Sequence, residues 1–207
     1  MPMRDAAVKL VILDRDGTIN EDREDFVKSP EEWVPLPGAL EAIARLNHAG
    51  WHVVIASNQS GLGRGLFDMA AVNAMHAKMN QLLARQGGRI DAVFLCPHAP
   101  DDPCSCRKPL PGLFEQIGER YGVNLRDVPA VGDSLRDLQA GVAAGCEPHA
   151  VLSGKLGEAG EEERGRDLAQ VPSVTVHQNL ATFVEHLLQR ERQRRGGPDD
   201  LHGWRDG

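Results

Sequence analysis

The chain has 207 residues, 41% of them hydrophobic and 26% charged, which is enough for one ordinary domain with a true core. A net charge of −7 excludes a broad basic surface for nucleic acid, whose affinity rests on Lys and Arg, yet leaves room for a small anionic substrate met by a few local cations. No apolar run approaches the ~20 residues of a membrane span, and residues 1–9 lack a signal-peptide core, so a cytoplasmic protein with neither a membrane nor a nucleic-acid partner is expected.

Taken in chain order, the pattern alternates strand and helix. Residues 8–13 are a short apolar, β-branched run and predict a first strand. Leu40, Ile43 and Leu46 share one helical face, with Pro37 near its start and Gly50 at its end. Residues 51–56 predict a second strand. Asp68 is placed to cap a long helix whose apolar face is Val72, Met75, Met79, Leu82 and Leu83. A third strand follows at 90–95, then a loop rich in Pro, Asp and Cys over 96–109. Pro111 opens a helix with Phe114, Ile117 and Tyr121 on one side, and residues 128–131 predict strand four. Leu135, Leu138 and Val142 mark the next helix. Two further strands, at 147–152 and 173–177, flank a polar, Glu-rich helix, and Asn179 caps a last helix through Phe183, Val184, Leu187 and Leu188. Such alternation implies a three-layer, Rossmann-like α/β fold with a mostly parallel sheet and helices on both faces. Residues 1–190 are read as the domain, and the charged, Gly-containing stretch 191–207 as a disordered tail.

The chemistry gathers where strands end. Asp14-Arg15-Asp16-Gly17-Thr18 follows strand one, and active sites in such sheets lie beyond the carboxyl ends of the strands. Two carboxylates two residues apart can divide labour, one attacking and the other moving a proton. An isolated run of this kind could be a surface turn, since Asp and Gly are common turn formers. Strand two ends in Ser57-Asn58, a hydroxyl and an amide that can hold phosphate oxygens. Strand four ends in Gly132-Asp133, an acid able to join Asp14 at a magnesium ion, which takes oxygen ligands. Lys108 closes the intervening loop.

With these four motifs in order, over roughly residues 8–150, the chain resembles the haloacid dehalogenase superfamily of phosphotransferases. The resemblance implies a nucleophile in Asp14, a general acid and then base in Asp16, phosphate contacts from Ser57 and Lys108, and magnesium held by Asp14, the backbone carbonyl of Asp16, and Asp133. The second acid separates phosphatases from dehalogenases, whose halide leaves without a proton.

A second cluster, Cys96, His98, Cys104 and Cys106, supplies three thiols and an imidazole within eleven residues, a sufficient set for tetrahedral zinc. Four ligands fill the shell, so this zinc is read as structural, fixing the loop that carries Arg107 and Lys108. Cys146 is read as a small core residue. His48, His52, His76, His149 and His177 are read as packing or solvent residues; Arg23 and Arg64 could reach substrate from loops near the site, with a surface position as the default reading.

Spacing between motifs leaves no room for a large cap domain. Within the superfamily the runs at 13–20, 57–61 and 96–109 resemble the heptose-1,7-bisphosphate 7-phosphatase family, which serves lipopolysaccharide core synthesis. By that resemblance Arg107 contacts the sugar's second phosphate, and Asn20, Asp22 and Asn58 join the substrate contacts. That family often carries an aromatic residue soon after the acidic position following Asn20; here the run is Asp22-Arg23-Glu24-Asp25-Phe26. Histidinol-phosphate phosphatases share the core, and Glu21, Asp22, Glu24 and Asp25 could serve a cationic substrate. A catalytically inactive zinc-stabilised binding module is the remaining alternative. A monomer acting on a small sugar phosphate is expected.

Overall fold

The computed structural model describes residues 8–195. Six strands form a single parallel sheet: β1 (Leu10–Leu13), β2 (His52–Asn58), β3 (Ala92–Cys96), β4 (Pro129–Gly132), β5 (Glu147–Val151) and β6 (Thr175–His177), in the order β3-β2-β1-β4-β5-β6. The chain winds outward from β1 to β3, then crosses back to β4 and winds the other way. The strand order therefore reverses between β1 and β4, and a crevice opens there at their carboxyl ends. Asp14 follows β1 and Asp133 follows β4, so the topology brings the first and fourth motifs together.

Period-two alternation assigns each strand residue to one helical layer. Val11 and Leu13 of β1 join Val53, Ile55 and Val131 in one buried layer with α1 (Ala39–His48), α3 (Met69–Arg85) and α8 (Leu180–Arg195). Leu10 and Ile12 face the other way, packing with Val54, Ala56 and Ala130 against α4 (Gly112–Tyr121) and α5 (Leu135–Ala144). Both layers are apolar around the central strands, and the acidic motifs lie beyond the strands' carboxyl ends.

Helix starts follow the expected caps. The Asp68 carboxylate accepts from the Ala71 amide at 2.9 Å, and the Asn179 side chain from Thr182 at 3.0 Å. A short helix not expected from the sequence, α2 (Ser60–Gly63), follows β2, and the Glu-rich crossover holds two helices, α6 (Lys155–Glu158) and α7 (Glu161–Ala169).

The last helix runs to Arg195, past the expected boundary at residue 190. Glu191 is the reason: it accepts from Lys9 Nζ at 2.5 Å and from Trp51 Nε1 at 3.1 Å, tying the helix to the starts of β1 and β2. The rest of the expected tail, 196–207, lies outside the described residues. No helix among the described residues is long and apolar enough to cross a membrane.

Candidate active site

Asp14 is set by the sheet itself: its amide donates to Val131 O of β4 at 2.9 Å, so the residue leaves β1 directly over the crevice. Gly17, three residues on, sits at φ 81, and a Cβ there would run into the Asp133 carboxylate. Only glycine lets the Asp14–Asp16 turn pass that close to the acid on β4.

Lys108 is buried, and its ammonium is fully committed: 2.7 Å from Asp14 Oδ1, 2.7 Å from Asp137 Oδ1 and 2.8 Å from Ala56 O. The carboxylates of Asp14, Asp133 and Asp137 offer oxygens that all lie within 4.8 Å of one another. Burial pushes the Asp14 carboxyl up to about 6, with the Asp137 charge adding to the effect and Lys108 opposing it. Burial, then the charges of Asp137 and Asp14, raise Asp133 well above the carboxylate range. Burial works against the charged forms of Asp137 and Lys108 too, but their mutual attraction outweighs it, leaving Asp137 lowered and Lys108 raised.

Three carboxylates thus gather together, and one ammonium pairs with two of them. A hard divalent cation with oxygen ligands is the partner such a donor set fits. Asp137 enters the group although the sequence reading named Asp14, Asp16 and Asp133. Its Oδ2 accepts from the Ser134 amide at 3.1 Å and hydroxyl at 2.7 Å, which turns the other oxygen onto Lys108.

Asp16 is held by donors. Arg15 reaches it through Nε at 3.0 Å and Nη2 at 2.9 Å, Asn20 Nδ2 at 2.8 Å and Gln59 Nε2 at 3.1 Å. Burial would raise its carboxyl, but the Arg15 charge and the Asn20, Gln59 and Arg15 hydrogen bonds together hold it below the ordinary range. These donors orient its side chain, which still lines the cavity. Ser57 is buried and accepts from Gln59 Nε2 at 2.8 Å, which links it to Asp16 through one amide.

One expected substrate contact is corrected, and a second gains a structural role. Asn20 is fully buried, with its amide nitrogen on Asp16 and on Glu21 O, so it orients the second acid rather than facing the cavity. Asn58 lines the cavity, but its oxygen accepts from the Lys108 amide at 3.0 Å and its nitrogen donates to Lys108 O at 3.1 Å. These two bonds clamp the backbone that delivers the lysine. Asp22 does reach the cavity wall, 3.2 Å from Lys155 Nζ. Arg107 also lines the cavity, and its buried Nη1 has no hydrogen-bond partner.

Local pattern concealed several residues. Arg15 is fully buried with Nη1 3.2 Å from His76 Nε2, although nothing in the sequence distinguishes it from a surface arginine. Gln59, between Asn58 and Ser60, carries no local signal of its contacts with Asp16 and Ser57. Lys155 follows Ser153-Gly154, a polar turn at the carboxyl end of β5, and position at a strand end was the signal that could have found it. Its amide donates to Asp133 Oδ2 at 2.9 Å, while Ser153 Oγ donates to Gly17 O at 2.8 Å. Arg23 and Arg64, for which a surface position is the default reading and a reach toward substrate the alternative, both line the cavity of about 550 Å³.

The second cluster is assembled as expected. Cys96 Sγ lies 3.4 Å from His98 Nδ1 and 3.9 Å from Cys104 Sγ, and Cys106 Sγ lies 3.3 Å from His98 Nδ1. All four cysteines in the chain are free thiols. Tetrahedral zinc with bonds of about 2.0–2.3 Å implies donor separations of roughly 3.5–3.8 Å. The cluster matches that shell, and it could hold zinc. Cys146 is buried and apart from it.

Comparison with known proteins adds relatives to this geometry. A protein-family model described as haloacid dehalogenase-like hydrolase matches residues 19–145. The chain is 55% identical over 186 residues to a D-glycero-beta-D-manno-heptose-1,7-bisphosphate 7-phosphatase of Bordetella bronchiseptica, covering 88% of this chain and 99% of that one. It is 48% identical over 180 residues to the enzyme of the same name from Pseudomonas aeruginosa, covering 87% and 98%. The crystal structure of the B. bronchiseptica D,D-heptose 1,7-bisphosphate phosphatase, complexed with magnesium and phosphate, superposes with a TM-score of 0.82 over 88% of this chain and 99% of that one, at 55% identity.

Proposed function

The chain belongs to the haloacid dehalogenase-like hydrolase family, and from that premise we propose that it is a magnesium-dependent phosphatase removing the C7 phosphate of D-glycero-D-manno-heptose 1,7-bisphosphate. The observation that carries the reading is the pairing of a complete acid set, Asp14, Asp16 and Asp133 with Lys108, with a cavity on which Arg107 presents a buried, unpartnered Nη1. The first set transfers a phosphate, and the second meets another anion. The relatives above carry the β-anomer in their names, so that anomer is the proposed substrate. The place in metabolism is the cytoplasmic supply of heptose for lipopolysaccharide, and the working unit is a monomer.

Asp14, the carbonyl of Asp16, and Asp133 would hold magnesium, with Asp137 within reach. Bound there, the ion would offset the charge of the incoming phosphate and polarise its oxygens. The chain's own residues do the rest. Asp14 attacks phosphorus, the bond from phosphorus to the C7 oxygen breaks, and an aspartyl-phosphate forms. Asp16 gives its proton to the departing oxygen, then takes one from the water that hydrolyses the intermediate. Four donor contacts favour the ionised form of Asp16, which suits the second step. The first step requires it to take up a proton as the dianionic substrate enters. Ser57 and Lys108 hold and neutralise the transferring oxygens, and Cys96, His98, Cys104 and Cys106 would hold a zinc that fixes the loop supplying Lys108.

The histidinol-phosphate alternative is weakened by charge pairing. Asp22 is matched by Lys155, and Asp25 by Arg23 and Lys28, so of the four acids only Glu24 stands on the cavity wall without an ion pair among the described residues, against three unpaired arginines there. A panel of both heptose bisphosphate anomers, fructose 1,6-bisphosphate and histidinol phosphate tests the reading by phosphate release. The β-heptose bisphosphate should show the highest kcat/KM, with loss at C7. Faster turnover of histidinol phosphate would overturn the substrate and leave the phosphatase chemistry standing.

A further inference from the structure

Six cationic side chains line the cavity: Arg23, Arg64, Arg107, Lys108, Arg136 and Lys155. Three are already matched. Arg23 lies 3.0 Å from Asp25, Lys108 lies 2.7 Å from both Asp14 and Asp137, and Lys155 lies 3.2 Å from Asp22. Among the described residues, Arg64, Arg107 and Arg136 form no ion pair, so the cavity keeps three guanidinium groups for an anion that the protein does not itself supply.

Of these, Arg64 carries two tethers. It follows α2, whose Gly63 lies against the zinc loop so closely that a Cβ would come 2.5 Å from Ala99 N and 2.8 Å from Pro97 O. That contact packs the turn bearing Arg64 against the same loop that ends in Arg107. From the facing wall, the Phe26 ring centroid lies 5.7 Å from the Arg64 guanidinium carbon, within the range of a cation–π contact. Phe26 is the one apolar residue among those lining the cavity, and its backbone sits at φ 68, a left-handed conformation that bulky residues rarely adopt. Strained backbone of this kind marks positions that the surroundings enforce. Here it places a ring beneath a guanidinium at the cavity mouth.

We propose that Arg64 is a specificity-determining residue that grips the outward phosphate of the substrate together with Arg107, and that Phe26 is the positioning residue that holds Arg64 there. This rests on the sugar-bisphosphate reading above. The outward phosphate is a dianion, and two planar guanidinium groups supply several donors in fixed geometry where one lysine would supply a point charge. Because the site is open, discrimination falls on the part of the substrate that projects from the crevice. Arg64 acts on binding of that part and leaves the transfer step to Asp14 and Asp16.

The full-length enzyme with magnesium tests this through two substrates that differ by one group, heptose 1,7-bisphosphate and heptose 7-phosphate. Arg64→Ala should raise KM for the bisphosphate by about tenfold with kcat within about twofold, and should leave both constants for the 7-phosphate within about twofold. Arg64→Lys should recover part of the loss. Phe26→Ala should raise the same KM by about fivefold, and Phe26→Tyr should restore it. A purely structural role for Phe26 would lower kcat on both substrates and the melting temperature together. With a wild-type enzyme that prefers the bisphosphate, equal losses on both substrates in Arg64→Ala, or an unchanged KM for the bisphosphate, would overturn the proposal. A wild-type enzyme with no preference for the bisphosphate would overturn the substrate reading, and this proposal with it.

Discussion

Two groups of buried titratable side chains can be set side by side, one at the carboxyl ends of β1 and β4, the other between β5, β6 and α8. In the second, His149 Nδ1 and His177 Nε2 share a hydrogen bond of 2.9 Å, His149 Nε2 meets Glu147 Oε1 at 2.9 Å, and Arg190 also pairs with Glu147. His186 and Phe183 pack around the two rings. Both groups show displaced ionisation: burial pushes His149 and His177 down to about 4, as it pushes Asp14 up to about 6. The histidines nevertheless form a closed set, in which neutral rings share hydrogen bonds and the one carboxylate has its arginine. The crevice is an open set, with carboxylates in excess of their lysine and facing a cavity of about 550 Å³. Burial and a shifted pKa are common to the two. Unmatched charge facing open volume is what separates a site from packing.

The largest expected effect breaks the open set and spares the closed one. Asp14→Asn should lower turnover by about 10⁴-fold or more, as loss of a nucleophile does, with the melting temperature changed by only a few degrees. Near-normal hydrolysis by a preparation whose mass confirms the substitution would refute the covalent route. An intermediate effect concerns the loop that supplies Lys108. Purified enzyme should carry about one zinc. Cys104→Ser should lose that metal, lower the melting temperature and reduce kcat/KM by about tenfold, the scale on which support for a metal site is felt. Elemental analysis and calorimetry together decide it, and unaltered stability and rate would make the cluster incidental.

The smallest effect belongs to the histidines and appears in stability. Their folded pKa of about 4 lies below the ordinary value of 6.5, so the unfolded chain binds more protons between those limits. The stability they contribute is therefore fully present above about pH 6.5 and is lost as pH falls toward 4. Urea melts at pH 7, 5.5 and 4.5 should show that slope, and His177→Gln should flatten it. An identical slope in the variant would assign the acid sensitivity to other groups.

Much of this was legible without coordinates because it is local. Periodicity placed the strands and helices, Asp68 and Asn179 cap where capping chemistry puts them, and the zinc donors sit close in sequence. Side-chain direction was less legible. Asn20 follows the motif as a substrate contact would, but the Asp16–Asn20 turn folds its amide back onto the acid. Glu191 reads as tail by composition, yet it lies inside a helix that Lys9 and Trp51 meet from 182 and 140 residues away.

The sequence by itself determined the fold class, through the alternation of strand and helix, and the family, through the resemblance its ordered motifs carry; it also offered Asp14 and Asp16 as the candidate acid pair and Cys96, His98, Cys104 and Cys106 as a donor set that could hold zinc. Only the tertiary structure decided how the charges were shared. Strand order brought Asp14 to Lys108 across 94 residues, added Asp137 to the acids, buried Arg15 against Asp16, and left Arg64, Arg107 and Arg136 unspent. The physical reason is that a charge acts on what lies within a few ångströms, and in a parallel sheet those neighbours come from strand ends far apart in the chain.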